Sequence, residues 1–296
     1  TYVAFEYSYD DMHSRQDRIF RVEARFYENG ELTDDWASSS AGYATAMKQN
    51  MSAVEDYTRV GSQYYPEQVV KYNELLYRET GIGYAEANFF NFFDFKLLKG
   101  NKENCLDGPN KVVITERIAH KYFKGENPIG KILIFRSNIG EEACEVTGIM
   151  EDMPVNTHVR YSLLISYKTL PKWMDEYWYR HEVYSYVLLK SANLKTQVED
   201  NFPEMAEKYK TEEALKNRAW AIQLTNLRDI HLNSQKAYEP EVKGNRSSIW
   251  VLICTALAIL CIAWINYINM TVARSMERAK EIGIRRASEM LLFIKL

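Results

Sequence analysis

The polarity of the chain changes abruptly near its C-terminal end. Between Ser247 and Ala273, twenty-seven residues pass without an Asp, Glu, Lys or Arg, and the stretch from Ile249 to Ile268 holds ten Ile, Leu or Val residues. About twenty helical residues at ~1.5 Å each cross the ~30 Å of a bilayer's hydrocarbon. At roughly −0.3 to −0.6 kcal/mol per central aliphatic, those side chains favour insertion by about 3–6 kcal/mol before polar residues are counted. A core helix of a soluble protein seldom keeps every face apolar for so long. The pattern predicts a transmembrane helix over 247–273, with Ile249 and Leu257 in its apolar body.

Ahead of this span the pattern is that of a folded domain. A strand is predicted from Asp17 through Arg25, and Ser38, Ser39 and Ser40 offer N-caps to a helix over Tyr43–Met51. Val54–Val60 reads as a strand, β-formers return over Gln68–Tyr77 and Gly81–Ala85, and the aromatic run Glu86–Leu98 reads as packed core. Lys111–Thr115 predicts a strand running into a helix over Glu116–Phe123, with Ile118, Tyr122 and Phe123 on one side. Lys131–Phe135 and Glu145–Met150 suit the arms of a hairpin, and Met153–His158 suits a turn. Further strands are predicted at Ser162–Ser166, Tyr184–Leu189 and Ala219–Leu224. Val198, Phe202, Met205 and Tyr209 fall at helical spacing within Leu194–Tyr209, where Pro203 demands a kink or a break. Ile230-His231-Leu232 then leads toward the span. The order predicts an α+β fold, an α/β domain interrupted by a more β-rich one and followed by the transmembrane helix.

Charge assigns the two sides of the membrane. Arg274, Arg278, Lys280, Arg285 and Arg286 follow the span against Glu277 and Glu281, whereas the residues before it are mixed. The positive-inside tendency makes the C-terminal side cytoplasmic and places residues 1–246 outside, periplasmic or extracellular, on the cytoplasmic (inner) membrane. Trp250, Trp264 and Tyr267 near the ends suit an interfacial aromatic belt. Residues 274–296 carry six Lys or Arg and three Asp or Glu, so the overall charge of −3 leaves −6 for residues 1–273. An acidic exterior domain argues against nucleic acid as a partner. Some 240 exterior residues suffice for one large or two small domains. Of four cysteines, Cys254 and Cys261 lie in the span and Cys105 and Cys144 outside, where a single disulfide is open to them. The N-terminal Thr1–Phe5 is too short, and too soon interrupted by Glu6, for a signal peptide.

Catalytic and ligand-binding patterns are thin. The spacing of Gly125 through Gly130-Lys131 matches a phosphate-binding loop, but Ile132 stands where a magnesium-holding hydroxyl is needed. A helix precedes it and a strand follows, the reverse of what such a loop requires, so a chain-reversing turn is predicted. The histidines at 13, 120, 158, 181 and 231 fall in no metal spacing, and no cofactor is implied. Trp173–Tyr186, rich in aromatic and charged residues, suits either a binding surface or a loop entering a strand.

Several motifs carry a family resemblance. Tyr9-Asp10, His13 and Asp17-Arg18-Ile19-Phe20-Arg21-Val22 open it; Val113-Ile114-Thr115-Glu116, Lys121-Tyr122-Phe123 and Asn127-Pro128-Ile129-Gly130-Lys131 follow. Val146-Thr147-Gly148-Ile149, Asp152, Pro154, Asn156 and His158 continue it, and Ile265-Asn266-Tyr267-Ile268-Asn269-Met270, Arg274 and Arg278–Arg286 close it. In this order they resemble the FtsX-like, MacB-type permeases of ABC transporters over nearly the whole chain. The resemblance implies a discontinuous α/β extracytoplasmic subdomain at 10–60 and 161–235, an inserted β-rich subdomain at 61–160, the membrane helix at 247–273 and a cytoplasmic coupling segment at 274–296. It implies a non-catalytic subunit of the mechanotransmission type, which couples ATP hydrolysis on a cytoplasmic ABC ATPase to movement of the outside domain for efflux or envelope export. A second permease subunit would complete a dimer, and a periplasmic adaptor with an outer-membrane channel, or a lipoprotein, are partners found in the family.

The family has four membrane helices, with the outside domain between the first and second. Here the first is absent and the sequence stops after Ala287–Leu296, so a fragment, a truncated gene product or a degenerate permease is expected. A single-pass sensor or ligand-binding ectodomain is the competing reading; it explains the span and topology but not the Glu281–Arg286 motif. Asn266 and Asn269, one turn apart on one face, are expected to bond another membrane helix or to lie at the cytoplasmic interface. Arg278, Glu281, Ile282, Gly283, Ile284, Arg285 and Arg286 are expected to dock on the ATPase as an amphipathic helix, with attraction to acidic headgroups as the alternative.

Overall fold

The computed structural model describes residues 2–61, 67–137, 140–178, 180–210, 218–234, 236–240 and 243–293. The chain divides into two compact units, residues 1–244 and residues 245–296.

The first unit opens with α1 (Tyr2–Tyr7), β1 (Ile19–Glu28), β2 (Glu31–Trp36), α2 (Ala41–Asn50) and β3 (Val54–Gly61). β4 (Glu67–Tyr72), β5 (Leu75–Thr80), β6 (Ile82–Ala85), α3 (Phe89–Phe92), β7 (Leu97–Lys99), β8 (Lys111–Thr115), α4 (Glu116–Phe123), β9 (Ile132–Ser137) and β10 (Gly140–Met150) follow. β11 (Leu163–Ser166), α5 (Trp173–Glu176), β12 (Val183–Leu189), α6 (Lys195–Glu207), β13 (Ala219–Asn226) and α7 (Ile230–Asn233) complete it. The strands join one mixed sheet in the order β13-β1-β12-β3-β6-β11-β8-β10-β9-β4-β5, with β2 beside β1 and β7 beside β10. β10–β8 and β11–β6 are parallel; the remaining pairs of named strands are antiparallel. This is the mixed α/β sheet with helices that the sequence order predicts.

Why these residues form this sheet is clearest in β1. Alternation sends Phe20, Val22, Ala24 and Phe26 to one face, where they share a core with Tyr43 and Met47 of α2 and Phe202 of α6. The other face carries Arg21 and Glu23, which are equally buried. β11 and β12 are buried along their whole length and, apart from Ser166 and Ser185, are apolar or aromatic, as strands covered on both faces are. Phe89, Phe90, Phe92, Phe93 and Phe95 are all buried in a second core with Tyr186 and Leu164, as the aromatic run predicts. At roughly 1.5–3 kcal/mol per fully buried Phe, that short segment is a large share of the domain's apolar burial.

Differences from the sequence expectations have local causes. Gln68–Tyr77 is a hairpin, because Asn73 takes a φ of +52° and turns the chain so that Tyr72 pairs with Leu75. Ser40 is the residue capping α2, but its hydroxyl donates to the Tyr177 carbonyl at 2.6 Å and leaves the helix amides uncapped. α6 runs through Pro203 without a break, its Val198, Phe202, Met205 and Ala206 held in the core. Thr115, by contrast, caps α4 as a side-chain acceptor from the Ile118 amide, and Lys124 closes that helix at a φ of +48°. Residues 124–131 form the turn expected in place of a phosphate loop, with the Gly130 amide donating to the Val146 carbonyl at 2.8 Å. Cys105 and Cys144 are buried free thiols, pushed up by burial to about 11 and about 12, and so unreactive.

The second unit is α8 (Arg246–Phe293), one helix of 48 residues that runs through the apolar span and on through the charged segment. It is long and apolar enough to cross a membrane.

Candidate functional site: the polar cluster tying the first residues to the segment before the long helix

Two stretches far apart in sequence, residues 2–15 and 230–244, are drawn together by buried polar groups. Glu6 Oε2 lies 2.9 Å from His231 Nε2, with both side chains under a tenth exposed. The Tyr9 ring stacks on the His231 imidazole at 3.4 Å, almost parallel. Gly244 closes this contact, its amide donating to the His231 carbonyl at 3.0 Å. A Cβ at that position would stand 2.6 Å from His231 Nε2 and 2.8 Å from Glu6 Oε2, so only glycine allows the approach.

The second contact is built on Asp10, whose φ of +59° turns its side chain into a loop at residues 156–159. Its Oδ1 accepts from Thr157 Oγ1 at 2.5 Å and its Oδ2 lies 2.7 Å from His158 Nδ1. Burial opposes ionisation of Asp10, but His158 and Thr157 outweigh it and hold the carboxyl below its ordinary range. A carboxylate only accepts, so Nδ1–H donates to it. The other ring nitrogen, Nε2, lies 3.0 Å from the Tyr186 hydroxyl, which burial keeps protonated well above its ordinary pKa.

The third contact carries charge across β1. Arg21 is fully buried and donates to Glu23 Oε1 at 2.7 and 3.0 Å, to both carboxylate oxygens of Glu239 at 2.7 and 2.8 Å, and to Ser234 Oγ at 3.0 Å. Glu23 Oε2 accepts from Thr225 at 2.7 Å and pairs with Lys236 at 3.1 Å, and Lys236 also pairs with Asp35. Two cations are thus matched by carboxylates on both β1 and the 234–239 segment. Burial alone would lower the Arg21 pKa, but Glu239 and Glu23 outweigh it and raise it. Arg21 in turn overcomes burial at Glu239 and lowers that carboxyl. Backbone bonds fasten the same segment: the Ala37 amide to the Ala237 carbonyl at 2.9 Å, and Tyr184 OH to the Tyr238 carbonyl at 2.8 Å.

The residues singled out from the sequence lie on α8. Ile249 is buried and Leu257 is exposed. Asn266 and Asn269, three apart, share a face of the helix and are exposed. Arg278, Glu281, Ile282, Gly283, Ile284, Arg285 and Arg286 are exposed, and Arg285 pairs with Glu281 at 3.9 Å, one turn back. Trp173–Tyr186 proves to be a short helix and loop entering β12, with Trp178 buried against Tyr43. Sequence reasoning noted Asp10, His13, Arg21 and His158 as motif members without a role and gave none to Glu6, Glu23, His231 or Glu239. The available signal was Arg21 and Glu23 standing at alternate positions among the apolar residues that begin β1.

A large mixed-sheet domain precedes a helix long and apolar enough to cross a membrane. The model of the MacB-like periplasmic core domain matches residues 2–204, and the chain belongs to that family of ABC transporter permease domains. It is 28% identical over 178 residues to the Probable syringafactin export ATP-binding/permease protein SyfD of Pseudomonas syringae pv. tomato, covering 60% of this chain and 24% of that protein. The chain therefore spans about a quarter of that relative's length. A crystal structure of a domain assigned to a permease protein from Porphyromonas gingivalis superimposes with a TM-score of 0.64 at 21% identity, over 72% of this chain and 91% of that one. The fold is thus shared at low identity. The periplasmic region of MacB from Actinobacillus actinomycetemcomitans aligns at a TM-score of 0.44 and 15% identity, over 70% and 90% of the two chains, too distant to bear on the argument.

Proposed function

We propose that this chain is the extracytoplasmic domain and one membrane helix of a permease subunit that transmits ATP-driven motion outward across the cytoplasmic membrane. A partner ABC ATPase hydrolyses ATP, and the chain contributes no catalysis. Residues 1–246 lie outside and the charged end of α8 lies in the cytoplasm, where Arg278, Glu281, Ile282, Gly283, Ile284, Arg285 and Arg286 dock on the ATPase. A second permease subunit packs on the Asn266 and Asn269 face. The division of the outside domain into 10–60 with 161–235 and an inserted 61–160 belongs to the same proposal, as does service to efflux or envelope export with an adaptor, an outer-membrane channel or a lipoprotein.

The observation that carries this reading is the buried clamp of Glu6–His231, Asp10–His158 and Arg21–Glu239, which ties both ends of the outside domain to its central sheet. A pull on the segment before α8 reaches β1 through bonds and not through loose chain. The relative whose name joins export, ATP binding and permease in one protein supports the transport setting. The test replaces Ile282 and Ile284 with Asp in the full-length protein together with its ATPase. Membrane insertion should persist while ATPase copurification and coupled export are lost; both unchanged in the double variant would refute the docking role.

A further inference from the structure

A cleft of about 490 Å³ opens between the β5–β6 turn, the start of α4, residues 158–162 and Pro240. That volume lies in the range of small-molecule sites. Among the described residues that line it, charge is unbalanced. Arg117 aims its guanidinium at Ser162 Oγ, to which Nη2 donates at 2.8 Å, and its carboxylate neighbour Asp152 stands 3.8 Å off on the open surface. Arg160 is exposed and makes no ion pair or hydrogen bond to a described residue. Glu67 is the acidic side chain of the wall, and it pairs with Arg78 at 3.3 Å. A guanidinium fork with no carboxylate partner among the described residues, beside a second one held by a hydroxyl and only loosely paired with Asp152, favours an incoming carboxylate or phosphate.

The floor is bare for a structural reason. Gly81 takes a φ of +69°, which side-chain-bearing residues rarely adopt, and a Cβ there would stand 3.5 Å from Ser162 Oγ. Glycine there leaves the Ser162 hydroxyl without a side-chain neighbour from position 81. His158, at the back of the cleft, is occupied by Asp10 and Tyr186 and adds shape but no free donor.

We infer that this cleft binds a small anion bearing a carboxylate or phosphate, held by Arg160 and Arg117 with Ser162 beside them. The occupied cleft would touch Pro240, the residue after Glu239 of the clamp, so the ligand would bear on the segment leading to α8. The inference is independent of the transport reading, because binding is measured without an ATPase. The experiment titrates the full chain in detergent with citrate and, separately, with inorganic pyrophosphate by calorimetry at low ionic strength. One of the two should saturate a single site: citrate alone assigns carboxylate chemistry and pyrophosphate alone assigns phosphate. Arg160→Gln, which loses no bond to a described residue, should weaken binding at least about tenfold, the loss of one charge-assisted contact. Lys168→Gln, whose charge pairs with Asp107 elsewhere, should leave binding unchanged. Failure of both probes to saturate, or undiminished binding in Arg160→Gln, overturns the proposal.

Discussion

Replacing Glu239 by Gln tests whether the clamp at β1 bears on folding. The change keeps the shape of the side chain and removes its charge, so Arg21 loses two charge-assisted bonds, at 2.7 and 2.8 Å, and keeps those to Glu23. Each such bond is worth about 1.5–3 kcal/mol, and an amide oxygen recovers part of one. Breaking a buried pair from one side costs about 3–5 kcal/mol in general. Glu239 retains slight exposure at 7% of its side chain, so water can relieve part of the penalty, and we expect about 2–4 kcal/mol. In a domain of this size 1 kcal/mol moves Tm by about 2–4 °C, so a fall of about 6–12 °C is expected for a mid-range loss of about 3 kcal/mol. Near-UV circular dichroism during heating of the full chain in detergent follows the packed aromatic core and is insensitive to α8 helicity. Arg21→Met should cost as much or more, while the double variant should cost well under the sum, because neither charge is then stranded. A Tm within about 1 °C of the parent, or a strictly additive double variant, would refute the clamp as a coupled buried network.

His13 predicts an acid-labile fold. Burial pushes its pKa down to about 4, and its Nδ1 accepts the Asp94 amide at 3.1 Å only while unprotonated. The folded pKa lies below the unfolded one of ~6.5, so the unfolded chain takes the proton first. Stability is complete above about pH 6.5 and falls toward pH 4, by up to about 3 kcal/mol from this residue; Tm measured across that window should flatten in His13→Gln, and an unchanged slope would sink the assignment. Gly244→Ala forces a methyl into His231 and Glu6 and should cost about 1–3 kcal/mol by urea unfolding, with no loss refuting the close approach. Asn266→Leu with Asn269→Leu should reduce copurification of differently tagged copies from membranes, and equal recovery would leave the helix-contact reading without support.

Much of the fold was legible because apolar periodicity is read by the same rule from sequence and from structure. The β8–α4 unit and the aromatic segment at 86–98 each repeat a strong local pattern and stand where the pattern places them, whereas the β9–β10 hairpin turns earlier than expected, so that β9 pairs with Gly140–Glu145 and residues 145–150 pair with β8. What stayed hidden depends on contacts between distant residues. Asn73 divides a run of β-formers because asparagine tolerates a positive φ, a tendency too weak to overrule the apolar run around it. The clamp escaped notice for a stronger reason: Arg21 and Glu23 on alternate positions look like the solvent face of a half-buried strand. Only the arrival of Ser234, Lys236 and Glu239, more than two hundred residues later, turns that face inward. The polar motifs at 9–13 and 156–158 were visible as motifs, but their use, Asp10 reaching His158, is a property of the fold alone.

The unbroken course of α8 has a mechanical consequence. Forty-eight residues at ~1.5 Å rise make a rod about 70 Å long, more than twice a bilayer's hydrocarbon thickness. Tilted as one piece by a few degrees about its middle, such a rod carries each tip sideways by about 3 Å. Gly283, which has open space where a Cβ would stand and is about 1 kcal/mol less helix-favouring than alanine, is the weakest point along it. Any compliance in the helix is therefore concentrated at this residue, and Gly283→Ala would lengthen the part that bends as one piece.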